Sequence, residues 1–346
     1  MKPRNNVEEM DEYIPPLEGR RGLLRLDFNE NTVGPSPKVL ESLRNLTDED
    51  VASYPEYSVF KEKLADYIGV NENNLLVTNA TDEAINVVMQ TYVDKKEEVI
   101  LPVPTFAMFK FYAQVAGAKI SEVLYADSLA FPTQKVLNKI NKKTKLIILC
   151  NPNNPTGTII KREDIIKILE KAKNCIVMID EAYNQFSKET AKDMINTYEN
   201  LIVIQTFSKA FGMGGLRLGY IISNEENIRN IGRVLSPYSV NTAAIKAGIA
   251  ALDDTKYVEW YAKQIEEGKK YVLNEFKKLK IKTFPTTANF FLAKFKNPLE
   301  IVDKLKEKGI LVRDRSSYPL LKGCVRITIG TKSQMEFLVK ALKDIK

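Results

Sequence analysis

The sequence predicts an α/β protein with a mostly parallel central sheet, helices on both of its faces, and a smaller α+β domain. Three observations carry this. Short, continuous apolar runs alternate with amphipathic helical patterns between residues 75 and 252, as strands buried on both faces require. Polar clusters recur where those runs end, at Asn79–Thr81, Asn154, Asp180–Tyr183 and Thr206–Lys209. Beyond residue 255 short strands interleave with helices. A chain of 346 residues exceeds the size at which one core stops growing. The expected division is an arm over 1–36 that joins the small domain, a large domain over 37–254, and a small domain over 255–346.

In order, residues 1–35 carry little periodicity and read as an extended arm ending in a Pro- and Gly-rich turn. Helices are expected over 37–46 and 59–68, separated by Ser53-Tyr-Pro-Glu-Tyr57. A strand over 75–78 meets a helix that Asn79 or Thr81 can cap, with Asp82 and Glu83 suited to the positive end of its dipole. Such a strand-to-helix turn can hold a phosphate on backbone N–H groups. Strand 99–101 leads through Pro102-Val-Pro-Thr-Phe106 into a helix ending near Ala116, and strand 119–124 follows. Strand 146–150 runs into Asn151-Pro-Asn-Asn-Pro-Thr-Gly157, too rich in Pro and Asn for regular structure. Helix 162–173, strand 175–179 and strand 201–204 complete the alternation. The small domain holds helices 256–280, 298–308 and 332–344, with strands 290–295, 310–313 and 325–329.

The stretch Val203-Ile-Gln-Thr-Phe-Ser-Lys209-Ala-Phe-Gly-Met-Gly-Gly-Leu-Arg217 is the chemical centre. Thr206, Ser208 and Arg217 surround Lys209 with hydroxyls and a guanidinium, equipment for holding a phosphate beside an amine. A Schiff-base lysine needs a desolvated site or a cationic neighbour to lower its pKa, and Arg217 is one such neighbour. In open α/β sheets ligands bind at the carboxyl ends of the strands, where all four polar clusters lie.

Composition removes other chemistries. Histidine is absent, which excludes Ser-His-Asp and Cys-His nucleophiles and histidine-based zinc sites. No metal site is expected. Cys150, Cys175 and Cys324 stand far apart and form no disulfide scaffold. The net charge of +7 is thinly spread; its densest patches, 135–145 and 277–282, read as solvated helix ends, so no nucleic-acid partner is expected. The N-terminus has no apolar core of the signal-peptide kind, and no run reaches membrane-span length. A cytoplasmic protein without membrane contact is the expectation.

The ordered set Asn29-Glu-Asn-x-x-Gly-Pro-Ser-Pro37, Tyr54-Pro-Glu56, Asn153-Asn-Pro-Thr-Gly157, Asp180-Glu-Ala-Tyr183, Ser208-Lys209-Ala-Phe and Cys324-Val-Arg-Ile-Thr-Ile-Gly330 resembles pyridoxal-phosphate-dependent aminotransferases of the aspartate aminotransferase fold. The resemblance covers essentially the whole chain and is greatest to the histidinol-phosphate aminotransferase family. It implies that Lys209 carries pyridoxal 5'-phosphate covalently and moves the substrate proton. Asp180 would pair with the pyridine nitrogen, keeping the ring an electron sink. Asn154 and Tyr183 would bond the ring's phenolic oxygen, and Phe106 would stack on the ring, where related sequences often carry tyrosine. The Ala80 and Thr81 backbone, Thr206, Ser208 and Arg217 would hold the phosphate. Arg326 would clamp the substrate carboxylate, with Arg313, Tyr13, Asn29 and Glu30 beside the substrate. A homodimer is implied, with Tyr54 reaching the partner's cofactor phosphate.

The reaction implied is transfer of the amino group of histidinol phosphate to 2-oxoglutarate, giving imidazole acetol phosphate and glutamate in histidine biosynthesis. Aromatic amino acid aminotransferases and a pyridoxal-phosphate-dependent phosphothreonine decarboxylase share most of the motifs and stand as alternatives. A dinucleotide-binding oxidoreductase fails, because Arg217 stands where a third glycine is due and a strand, 218–222, follows instead of a helix. A non-catalytic regulator would need a DNA-binding module for which no segment is evident.

Overall fold

This computed structural model describes residues 1–12 and 14–345. Among them, strands β1 (Leu24–Arg25), β2 (Leu75–Thr78), β3 (Glu98–Val103), β4 (Lys119–Leu124), β5 (Thr144–Cys150), β6 (Ile176–Asp180), β7 (Leu201–Thr206) and β8 (Gly219–Ser223) lie in the first two thirds of the chain. The remainder holds β9 (Lys282–Thr283), β10 (Phe290–Lys294), β11 (Ile310–Leu311), β12 (Arg313–Asp314) and β13 (Cys324–Thr328). The large sheet runs β2-β8-β7-β6-β5-β3-β4. All its pairings are parallel except those of β8, which is antiparallel to both β2 and β7. The mostly parallel sheet is therefore present, with one reversed strand.

Strand alternation explains why both faces are covered. Leu146, Ile148 and Cys150 of β5 pack into one core, with Val88 of helix Ala80–Tyr92 and Phe109 of helix Ala107–Ala116. Ile147 and Leu149 face the other core, with Leu64 of helix Ser58–Ile68, Ile168 of helix Arg162–Lys171 and Ala247 of helix Thr242–Leu252. Each fully buried aliphatic side chain contributes about 1.5–3 kcal/mol, so an acidic residue at Ile147 or Ile148 would break one layer.

The second sheet, β12-β13-β10-β9, packs against the long helix Thr255–Lys278 and the last helix, Lys332–Ile345, around Phe276, Phe291, Ile327 and Leu338. The arm contributes to this unit. β1 pairs in parallel with β11, and Leu26 is wholly buried in the same core.

Three expectations are corrected. The single strand over 310–313 divides at Val312: Ile310–Leu311 pairs with the arm, whereas Arg313–Asp314 pairs with β13. Short helices occur at Asn5–Glu8 and Asp48–Ala52, where none was expected. The latter is stabilised by a capping box between Thr47 and Asp50, a local signal too short to give periodicity. Neither Asn79 nor Thr81 caps the helix Ala80–Tyr92 through its side chain; the Glu83 carboxylate instead accepts from the Asn79 N–H at 2.6 Å.

Candidate active site

The ends of β2, β3, β5, β6 and β7 open onto one cavity of about 590 Å³. It lies where the chain, having placed β3 and β4 outward, crosses to β5 and β6 on the other side, the switch point at which open sheets bind ligands. β7 and β8 pair with Thr206 opposite Gly219, so 207–218 forms a loop that delivers Ser208, Lys209 and Arg217 to the rim.

Lys209 is the cavity's amine. Its Nζ donates to the Phe28 carbonyl at 3.0 Å and lies 5.9 Å from the centre of the Tyr183 ring. Burial lowers its pKa to about 8, and Arg326 adds to the effect. Arg217, the expected cause, contributes least among its identified neighbours. Desolvation is thus the main device that keeps the amine available as a nucleophile.

Asp180 closes β6 and is 3% exposed. Its Oδ1 accepts from the Ala182 N–H at 2.9 Å. Burial pushes its pKa up to about 7. A buried carboxylate facing a cavity with this little compensation fits a ligand that presents a cationic N–H.

The opposite end suits an anion. Thr206 Oγ1 and Ser208 Oγ lie 2.9 Å apart, and Ala80, at φ +60°, begins a helix whose first residues, Ala80, Thr81 and Asp82, line the cavity. Gly219 makes this turn possible: a Cβ there would lie 2.8 Å from Ala80 Cα. Arg217 also lines the cavity, but its guanidinium engages Asp82 at 2.6 Å and the Gly214 carbonyl at 3.2 Å. Asp82, read from the sequence only as a dipole-compatible residue, is the missed partner here.

Arg326, on β13, enters from the smaller unit and is 3% exposed. It donates to Asn154 Oδ1 at 2.6 Å and to the Asp27 carbonyl at 2.5 Å, while its Nε has no hydrogen-bond partner. Burial and then Arg315 press its pKa down to about 9, leaving it charged at neutral pH. A buried guanidinium on the cavity wall, bonded only to neutral oxygens, fits an incoming carboxylate.

The remaining expected residues divide. Phe106, Thr81, Asn29, Glu30, Tyr183 and Asn154 line the cavity. Asn29 donates to Tyr183 Oη at 2.9 Å, and Glu30 is held by Arg20 and Arg25. Arg313 does not line it; its guanidinium lies over the Phe28 ring, 5.6 Å from the centre. Arg315, two residues on, does line it. Tyr54 lies outside, 76% exposed and stacked 4.5 Å from Tyr238. Tyr13 lies outside the described residues. Arg20, Tyr112, Arg315 and Tyr318 also line the wall and were not anticipated; Arg315 directly follows the two-residue β12, and the other three stand at no strand end.

A desolvated amine, a buried carboxylate, an anion cradle and a buried guanidinium around one cavity define a lysine-based group-transfer site served by an aromatic phosphate cofactor. Residues 21–342 match the family Aminotransferase class I and II. The chain belongs to that family, and within it to the histidinol-phosphate aminotransferases. The histidinol-phosphate aminotransferase of Caldanaerobacter subterraneus subsp. tengcongensis is 38% identical over 325 residues, 93% of this chain and 92% of the relative. The solved histidinol-phosphate aminotransferase of Clostridium acetobutylicum matches with a TM-score of 0.86 at 26% identity, covering 93% of this chain and 99% of its own. That of Sinorhizobium meliloti, in complex with pyridoxal-5'-phosphate, has a TM-score of 0.89 at 22% identity, covering 99% and 96%; at that identity the likeness speaks for the fold.

Proposed function

We propose that this chain transfers the amino group of histidinol phosphate to 2-oxoglutarate with pyridoxal 5'-phosphate as cofactor, in histidine biosynthesis. The carrying observation is Lys209, a half-buried residue whose amine is desolvated to a pKa of about 8, on the wall of the same cavity as Asp180, Thr206 and Ser208. When bound, the cofactor would supply an electron sink for bond changes at the substrate carbon. Lys209 would attach the cofactor and move the proton at that carbon. Asp180 would pair with the ring nitrogen, its ionised form favouring a protonated ring. Thr206, Ser208, Arg217 and the Ala80–Thr81 turn would hold the phosphate; Asn154 and Tyr183 would bond the ring's phenolic oxygen, and Phe106 would stack on the ring.

Arg326 takes the carboxylate of glutamate or 2-oxoglutarate and, in the other half-reaction, the phosphate of the amino donor, because a guanidinium fork suits both anions. Arg315, on the cavity wall, is placed to share that charge. The working unit of this reading is a cytoplasmic homodimer in which Tyr54 reaches the partner's site, which its exposure away from its own cavity accommodates. No helix among the described residues is long and apolar enough to cross a membrane. The β1–β11 pairing supports joining the later arm to residues 255–346, whereas Arg4 and Asn6 donate to the Gln114 and Val115 carbonyls of the large unit, so the proposed division of 1–36 with 255–346 against 37–254 holds only for the later arm. Steady-state rates with histidinol phosphate, phenylalanine and tyrosine as donors decide the substrate. A higher kcat/KM for phenylalanine would replace this reading with an aromatic aminotransferase.

A further inference from the structure

Residues 27–30 touch three groups of the site in succession. The Asp27 carbonyl accepts from Arg326, the Phe28 carbonyl accepts from Lys209, and the Asn29 side chain donates to Tyr183. The segment belongs to no helix or strand, and Asn29 adopts the left-handed φ of +56°, a conformation that persists only when its surroundings enforce it. On the inner side, Asn29 N–H donates to Thr328 Oγ1 at 3.0 Å and Asn289 donates to the Asn29 carbonyl at 3.1 Å. The outer side is held chiefly by Arg20, with Arg25 reaching Glu30 at 3.2 Å and Arg313 lying 5.6 Å from the centre of the Phe28 ring.

Arg20 Nε and Nη2 grip the Asp27 carboxylate at 3.0 and 2.7 Å. Nη2 and Nη1 reach Glu30 at 2.6 and 3.3 Å. Between the two carboxylates the guanidinium lies 4.1 Å from the centre of the Phe28 ring. The side chain is 12% exposed. Four N–H contacts of this planar donor are thus committed to Asp27 and Glu30, so although Arg20 lines the cavity it is built to hold protein and not a substrate anion. We infer that Arg20 is a positioning residue: it clamps both ends of 27–30 and thereby fixes Lys209, Arg326 and Tyr183 relative to one another. Lysine at this position would restore the charge but not the fork or the stack.

A positioning role has an electrostatic signature. Besides burial, Lys209 feels Arg326 and Arg217, which lower its pKa, and Glu30 and Asp82, which raise it; Asp180 and the Tyr183 ring also face it. Removing Arg20 leaves Glu30 without its main counter-charge and loosens the Phe28 carbonyl toward water. Both changes favour the charged amine.

The inference rests on Lys209 being the reacting amine, and the test separates the two. Reductive methylation of Lys209, followed on its peptide across pH in cofactor-free parent, Arg20→Gln and Arg20→Lys proteins, gives the amine's midpoint without any turnover. Absorbance against pH, kcat and KM are then measured on the holoenzymes. In Arg20→Gln the midpoint should rise from about 8 by about half a pH unit or more, with kcat lowered about tenfold or more. Arg20→Lys should regain most of the midpoint while kcat stays low. Parent-like kcat in Arg20→Lys would overturn the inference. So would an unchanged midpoint in Arg20→Gln, whatever its activity, because a residue that only stabilises the fold leaves Lys209's titration alone. Should Arg20→Gln not fold, Arg20→Lys decides through kcat. A parent protein with no cofactor on Lys209 would remove the proposed function, while the amine titration would still judge Arg20.

Discussion

Replacing Asp180 with asparagine should stabilise the cofactor-free protein near pH 8 while abolishing turnover. Burial raises this carboxyl from its ordinary 3.8 to about 7. The folded-state pKa therefore lies above the unfolded one. The stability linked to this group is fully present below 3.8 and is lost as pH rises toward about 7. At about 1.4 kcal/mol per pH unit the whole displacement corresponds to about 4 kcal/mol, an upper bound because the group faces a cavity that water enters. About 2 kcal/mol is the expected gain for Asp180→Asn. The substituted amide keeps an oxygen that can accept from the Ala182 N–H, as the carboxylate does, so the geometry survives while the charge is gone. Glu181, itself pushed up to about 7 with Asp180 as one contributor, is relieved in the same direction. Urea unfolding of cofactor-free parent and Asp180→Asn proteins at about pH 5 and about pH 8 measures the difference. It should grow with pH, and added cofactor should stabilise the parent more than the variant. A variant less stable than the parent near pH 8, or a gain of equal size at both pH values, would refute this account of Asp180.

Four further outcomes follow from the same geometry. Borohydride should trap pyridoxal 5'-phosphate on the peptide containing Lys209, and amine reagents should modify Lys209 of the cofactor-free protein with a midpoint near 8 and not near the usual 10.5; label elsewhere contradicts the assignment. Gly219→Ala places a methyl group 2.8 Å from Ala80 Cα, an overpacking of about 1–3 kcal/mol, and should weaken cofactor binding about tenfold with little change in circular dichroism. Arg315→Ala should lower kcat/KM for the phosphorylated donor about ten- to a hundredfold, as loss of a charge-assisted contact worth about 1.5–3 kcal/mol predicts, and should spare phenylalanine. Arg313→Ala, removed from the wall, should cost less; the reverse ranking would return Arg313 to the substrate. Mixing Tyr54→Phe with Lys209→Ala protein should generate activity through one intact site per heterodimer, and its absence despite proven subunit exchange would confine Tyr54 to its own subunit.

What the sequence made legible was whatever lies at the end of an apolar run. Phe106, Asn154, Asp180, Thr206 and Lys209 each stand where a strand stops, and the sheet brings those ends together. Strand direction was less accessible. Residues 218–222 read as a strand, but only the loop returning through Arg217 decides that β8 runs against its neighbours. Side-chain aim was less accessible still. Arg313 and Arg315 are two residues apart, and nothing in their spacing says which reaches the cavity. Partners across long separations were invisible. Arg217 meets Asp82 across 135 positions, and Arg20 gains its meaning only because the arm folds onto β13.

The electrostatics explain why these residues belong to one site. Asp180, Lys209 and Arg326 have pKa values displaced by burial to about 7, 8 and 9. Each displacement runs toward the neutral form, so all three ionisable groups are under-compensated by the protein itself. Stability alone would favour apolar replacements, as it does for buried charges generally. On the proposed function, the cofactor would bring a protonated ring nitrogen to Asp180 and a carbonyl carbon to Lys209, and the substrate would bring its acid group to Arg326, so that each would receive what it lacks. The cofactor's phosphate would be met by Thr206 and Ser208 at the rim, beside the Arg217–Asp82 pair. The cavity is therefore a set of unmet charges with fixed spacing, and selectivity follows from having to satisfy all of them at once.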